Sequence, residues 1–549
     1  MQLSVLAPSW QKRKNLYCLM RHLLIILLTI FSTNLFAQNL KSGGVLKPEQ
    51  AIMDIRHYTI ALDVDPVQKT IKGYTEITLN LLEPSNILLF DFWHGLTIKN
   101  ILVNGKNQPF THTTDDLIRI NLPQALPVQK VKVKIDYGGT PGVAARAPWI
   151  GGFQWEKDSL GNPWIAVTCQ GEGGKIFFPC KDHPSDEPNE GADMIITVPK
   201  GLVVAAPGLL QKTTTKNDKT TWHWKTNYTI SNYCLVFNIA KYDVVKRTYT
   251  TVNGNKVPME YYVLQQNRHK ADKLLDLFEQ SARILEKYFG EYPWVKERIG
   301  MSETPHLGME HQTNIAYGNE YRYQKLGGKD FDWLLHHEFG HEWWANKVTN
   351  RDWAHMWIQE GICVFGDAMA TRELAGEEAY LERMKQTAIN TQNKIPIVRG
   401  DQVDSDSAYN GDIYGKGGFF MHTLRYVIGD DIFFPTLKKL ATDPEYTYHN
   451  TVVTADVEKL FSTARGKNLQ PLFHFYLYTR NKLEVLVKQT GSKTYNISLL
   501  NFDTPLPFDV TTTAGTQRME LSKTPVKVTS DTTPVIDEKV FYLKRVILE

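Results

Sequence analysis

Apolar and β-branched residues recur at every second position through a long stretch of the chain after residue 50. Tyr58, Ile60, Leu62 and Val64, then Ile71, Thr75, Ile77 and Leu79, then Val131, Val133 and Ile135 alternate with polar neighbours. A period of two puts one face of a strand on a core and the other in solvent, which predicts a β-rich domain over residues 38–245. Near residue 270 the period changes. Leu274, Leu277, Phe278, Leu285, Tyr288 and Phe289 recur at three and four, and Gly290 supplies a helix C-terminal residue. A helix-rich domain is therefore expected over residues 246–480. Alternation returns at Leu483, Val485 and Val487 and again over residues 541–548, so a small β domain is expected over residues 481–549. The pattern as a whole predicts a multidomain α+β protein, without an internal repeat or a long linker.

Composition narrows the picture. The chain has 549 residues, of which 42% are hydrophobic and 22% charged, too long for one core and too apolar for disorder. Cys169, Cys180, Cys234 and Cys363 are too few to staple such a chain and read as buried thiols, with a Cys169–Cys180 bridge left open by export. Lys12, Arg13, Lys14 and Arg21 precede an apolar run over residues 23–31 and a small residue, Ala37. This reads as a signal peptide over residues 1–37, cleaved after Ala37, with export to a periplasm or to the medium. Stable membrane insertion is not expected, because a spanning helix needs about 20 apolar residues. Those four cations account for the whole formal charge of +3, so nucleic-acid binding has no support.

The chemistry concentrates between residues 330 and 367. His337-Glu338-Phe339-Gly340-His341 gives HExxH in a helical setting, where residues four apart share a face. Both imidazoles can then reach one zinc ion at ~2 Å while Glu338 stands beside it as a general base. Catalytic zinc commonly takes three protein ligands. Glu360, eighteen intervening residues later in Trp357-Ile358-Gln359-Glu360-Gly361, is the expected third. Asn350, Arg351 and Asp352 supply a turn that lets its helix pack on the first. Tryptophans 333, 343, 344, 353 and 357 read as packing around these two helices, and Cys363 as core.

With these residues the chain resembles the zinc aminopeptidases that include aminopeptidase N and leukotriene hydrolase, a gluzincin family defined by HExxH-x18-E. Leu307-Gly308-Met309-Glu310-His311 stands where that family carries Gly-x-Met-Glu-Asn, which implies that Glu310 anchors a substrate's free α-amino group beside Gly308 and Met309. Leu307 and His311 depart from the motif. Tyr414-Gly415-Lys416-Gly417 matches Tyr-x-Lys-Gly and implies that the Tyr414 phenol stabilises an oxyanion. Tyr409 is a weaker candidate outside that catalytic set. Thr168-Cys169-Gln170 and Phe178-Pro179-Cys180-Lys181-Asp182 look like the family segment whose Gln lines the first substrate pocket, which makes Gln170 a binding residue. The resemblance covers most of residues 50 to 480 and implies a β saddle, a thermolysin-like catalytic domain and a β module. Many relatives add a large helical domain that encloses the active site, but the residues after 480 alternate like strands, so an open side is expected here.

The reading is a zinc-dependent aminopeptidase with one zinc ion per chain, acting on peptides with a free N-terminal amine. A thermolysin-like endopeptidase is the alternative; an epoxide hydrolase and a non-catalytic peptide-binding protein are more remote. First-pocket preference, peptide length limit and oligomeric state have no signal in the sequence.

Overall fold

The computed structural model describes residues 40–549, so the leader expected over residues 1–37 lies outside the described residues. The alternating segments form an eight-stranded sheet in which Met53–Asp65 lies between Ala192–Pro199, parallel to it, and Thr70–Leu81, antiparallel. The register places Tyr58 opposite Ile77 and Val64 opposite Ile71, so the apolar positions of both strands share one buried face. A four-stranded sheet contains Pro163–Thr168, which delivers the chain to Gln170 at its end.

A five-stranded mixed sheet opens the catalytic domain: Tyr242–Thr250, Lys256–Leu264, Ile299–Glu303, Ile315–Tyr317 and, on the edge, Gly308–Met309. Helix Ala271–Phe289 follows the second strand, its 3.6-residue stripe buried and its end marked by Gly290. One buried cation helps to fasten the β-rich domain to this sheet. Arg298, 1% exposed, donates to the carbonyls of Gly208 (2.8 Å) and Ala206 (2.6 Å) and lies 4.7 Å over the Trp224 ring. A guanidinium buried without such partners would cost several kcal/mol, so the contact is specific rather than merely apolar.

The C-terminal residues form two small sheets. Thr494–Leu499, Leu483–Gly491 and Lys544–Leu548 belong to one, and Gly515–Leu521, Leu506–Thr512 and Val535–Ile536 make the other. They dock on helix Gly415–Ile428 through Tyr426, whose ring stacks on Phe541 at 3.9 Å and whose hydroxyl donates to Asp509 at 2.8 Å.

Residues 40–44 form a strap between distant parts of the chain. The Ser42 amide donates to the Gly171 carbonyl at 2.8 Å, its hydroxyl donates to Asp182 at 3.1 Å, and its carbonyl accepts from the Ser405 amide at 3.0 Å. Gly43 has φ +74, and a Cβ there would meet Trp353 at 2.5 Å, so the close pass needs glycine. Among the described residues no helix is long and apolar enough to cross a membrane.

Candidate active site

Asp332 begins the HExxH helix, Trp333–Gly340, by accepting from the Leu335 amide at 3.1 Å. The helix is shorter than the motif: His341 is its C-terminal cap. It keeps right-handed helical dihedrals (φ −66, ψ −15), so the four-residue spacing to His337 still puts both rings on one face. Glu360 lies in the first turn of the long helix Trp357–Ala375, reached through a 3-10 turn that Asp352 caps.

These three side chains converge. His337 Nε2 and His341 Nε2 are 3.3 Å apart, and Glu360 Oε2 lies 3.6 Å from the first and 3.4 Å from the second. Donors ~2.0–2.1 Å from one tetrahedral ion are spaced about 3.3–3.4 Å from each other, so the triangle has the edge lengths of a zinc site. Glu360 Oε2 is buried and makes no hydrogen bond, a position that an ion would satisfy. Two neutral imidazoles and one carboxylate are a donor set suited to one zinc ion per chain.

The other nitrogens of the two rings are also placed. His341 Nδ1 faces the Trp344 carbonyl at 2.8 Å and His337 Nδ1 faces Asp367 at 3.2 Å, which aims both Nε2 atoms inward. Asp367 was not singled out from the sequence, although it lies seven residues after Glu360 on the same helix face. Cys363 is buried as expected, but its Sγ also sits 3.3 Å from His341 Nδ1.

Burial pushes the Glu338 carboxyl well up from its ordinary range; His337 opposes the shift and Glu310 adds to it. Gly308 lies against this carboxylate, where a Cβ would approach Glu338 Oε1 to 2.7 Å and Leu334 Cδ1 to 2.8 Å and would push both side chains aside. Gly308 and Met309 are the edge strand of the mixed sheet, paired on one side with Tyr317 and Ala316.

Glu310, 3% exposed, has donor atoms grouped with those of Glu338 and His341 within 4.8 Å. Its Oε1 accepts from Gln170 Nε2 at 2.6 Å and from the Tyr233 hydroxyl at 2.9 Å. Tyr233 carried no motif and was missed. Asn346 donates to the Glu310 carbonyl at 2.8 Å. Tyr414 begins helix Gly415–Ile428. That helix is drawn onto the Glu360 helix where Gly417 meets Gly361, with 3.0 Å between the position of a Gly417 Cβ and the Gly361 Cα. The Tyr414 ring lies 6.3 Å from that of His337, and its hydroxyl is 3.1 Å from that of Tyr409. Burial raises the Tyr414 phenol well above its usual value, with Glu360 adding to the rise, so it remains a proton donor at neutral pH. Lys416 of the same motif points elsewhere, donating to the Thr479 carbonyl at 2.7 Å.

His337, His341, Glu360, Glu338, Gly308, Met309, Glu310, Gln170, Tyr409 and Tyr414 line one cleft of about 600 Å3, together with Arg146, Trp149, Ile150, Leu307 and Trp353, whereas Tyr233 and Asp367 lie outside its lining. Trp343, Trp344, Trp353 and Trp357 are buried packing residues as read from the sequence; Trp353 also forms part of the cleft wall, and Trp333 lies half-buried beneath Arg383. The described cysteines are free buried thiols, so Cys169 and Cys180 are not bridged.

Two segments match known families: residues 55–234 the peptidase M1 N-terminal domain and residues 274–476 the peptidase family M1 domain. The chain is 27% identical over 423 residues to leukotriene A-4 hydrolase of Xenopus laevis, covering 70% of this chain and 64% of that one. It is 21% identical over 446 residues to aminopeptidase N of Lactococcus lactis, covering 77% and 50%. It thus spans half to two thirds of the length of these curated relatives. An M1 zinc metallopeptidase mutant of Deinococcus radiodurans, bound to a Tyr-Ser-Ala substrate, shares the fold with a TM-score of 0.65 at 21% identity, over 79% of this chain and 95% of that one.

Proposed function

Because the chain belongs to peptidase family M1, we propose that it is an exported zinc aminopeptidase that removes N-terminal residues from peptides. The observation that carries this reading is Glu310: a buried carboxylate, clamped at one oxygen by Gln170 and Tyr233, beside Glu338 and His341. Its second oxygen is left to pair with an ammonium, and a chain continuing upstream of that ammonium would meet the cleft wall at Gln170.

His337, His341 and Glu360 hold the zinc, which when bound supplies a Lewis acid and water acidified toward a pKa of ~7. Glu338 takes the proton of the attacking water and passes it to the leaving amine. Tyr414 donates its phenolic proton in a hydrogen bond to the carbonyl oxygen as charge builds there. Gly308 and Met309 offer the free side of an edge strand to the substrate backbone, so that an extended peptide adds to the sheet. The leader read over residues 1–37 supports export.

The test is a panel of aminoacyl chromogenic amides, each with a free and an acetylated amine, against wild type, Glu338→Gln and Glu310→Ala, with and without chelator. Cleavage restricted to free amines, lost on chelation, restored by zinc and lost in both variants is the expected result. Equal cleavage of acetylated substrates would replace the aminopeptidase with a thermolysin-like endopeptidase.

A further inference from the structure

A second cavity, of about 330 Å3, shares no lining residue with the cleft. Its wall includes Tyr228, Glu291, Lys347 and Tyr448, with Lys438 exposed beside them. Lys347 lies six residues beyond His341 and is 5% exposed. Among the described residues its Nζ has no hydrogen bond and no ion pair, and it lies 5.0 Å from the centre of the Tyr448 ring.

Glu291 and Tyr448 of the wall are already engaged. Glu291 accepts from Asn255 at 2.7 Å, from Asn253 at 2.9 Å and from the Thr251 hydroxyl. The Tyr448 hydroxyl donates to the Pro293 carbonyl at 3.1 Å. Tyr228 stacks on Tyr448 with centroids 5.9 Å apart, and Trp294 meets both rings edge-on. The cavity therefore offers aromatic surface and a buried ammonium, Lys347, with no direct ion pair, while the exposed Lys438 adds a second positive charge at its wall. Desolvating such a group is unfavourable unless a partner compensates. Burial lowers the Lys347 pKa to about 8, with Glu291 opposing the fall, so the side chain still carries its charge at neutral pH.

We propose that this cavity is a second ligand site, for a small monoanionic carboxylate with an apolar body. The carboxylate pairs with Lys347 Nζ and the body lies against the Tyr228 and Tyr448 rings. The nearby Glu291 disfavours a dianion such as a phosphate monoester, and the aromatic wall disfavours a bare inorganic anion. The site does not depend on the peptidase reading, because none of its residues reaches the zinc ligands.

The probe is 4-fluorophenylacetate, followed by fluorine NMR line broadening on zinc-loaded protein. A ligand of this size should bind with a Kd of about 1 mM. Lys347→Met keeps the volume of the stem and removes the charge; it should weaken binding about tenfold, while Glu310→Ala in the cleft leaves it unchanged. The neutral 4-fluorophenylacetamide should bind as weakly as the acid does to Lys347→Met. A melting curve reports whether that variant folds, and Tyr228→Ala, which removes part of the apolar wall, provides a second variant with the same tenfold expectation. Absence of broadening with wild type, undiminished binding to folded Lys347→Met, or equal binding of acid and amide would each overturn the proposal.

Discussion

The N-terminal β-rich domain reaches into the cleft with Gln170, Arg146, Trp149 and Ile150 and holds Glu310 from behind with Tyr233, whereas the C-terminal β module contributes no lining residue among those described. Both regions follow the same two-residue alternation, and both are sheets packed on the catalytic helices. They differ in the chemistry of the contact. The first meets the catalytic domain through buried polar groups with directional partners, such as Arg298 on the Gly208 and Ala206 carbonyls and Tyr233 on Glu310. The second meets it chiefly through stacked aromatics, Tyr426 on Phe541, and its directional contacts, such as the Leu543 amide on the Tyr476 hydroxyl, involve no residue of the cleft lining. Directional contacts transmit position, so the first region can shape the site; stacked rings mainly supply buried area. Secondary structure alone does not separate these roles.

Three substitutions would break or sharpen that contrast. The pair Gln170→Ala with Tyr233→Phe strips both donors from Glu310, and hydrogen bonds to a charged group are worth ~1.5–3 kcal/mol each. Initial rates on free-amine substrates should show kcat/KM about a hundredfold lower. Tyr233→Phe alone should cost about tenfold, expressed mostly in KM because an amine anchor acts on ground state and transition state alike. Phe541→Ala removes the stacked ring at the far end. It should lower the melting temperature by a few degrees, for a loss of about 2 kcal/mol, while kcat/KM stays within about twofold of wild type. A tenfold loss of activity in Phe541→Ala would erase the distinction between the two β regions.

The zinc centre was legible because helix geometry translates spacing directly into proximity. His337 and His341 share a face by their separation alone, and the eighteen residues to Glu360 span one turn and one helix start. The edge-strand residues and Tyr414 were reached through motifs. What could not be read comes from chain segments brought together only by topology. Tyr233 meets Glu310 across 77 positions, and Arg146 and Trp149 enter from a loop without any motif. Asp367 was within reach, seven residues from Glu360, but a carboxylate in a helix says nothing of its partner until the ring of His337 is placed. Trp353 packs as its sequence setting indicates, and its additional place in the cleft wall has no separate signal in the sequence.

The strap at residues 40–44 sets an order of events during synthesis. Ser42 is among the first described residues to be made, yet its partners are Gly171, Asp182 and Ser405, the last of them 363 positions later. Until residue 405 exists, Ser42 can close only against Gly171 and Asp182, and the loop that the final closure spans is most of the protein. Residues 42–44 thus join the segments carrying Gln170 and Tyr409, and a nascent chain halted before residue 405 would have the Gly171 side of this clasp without its counterpart.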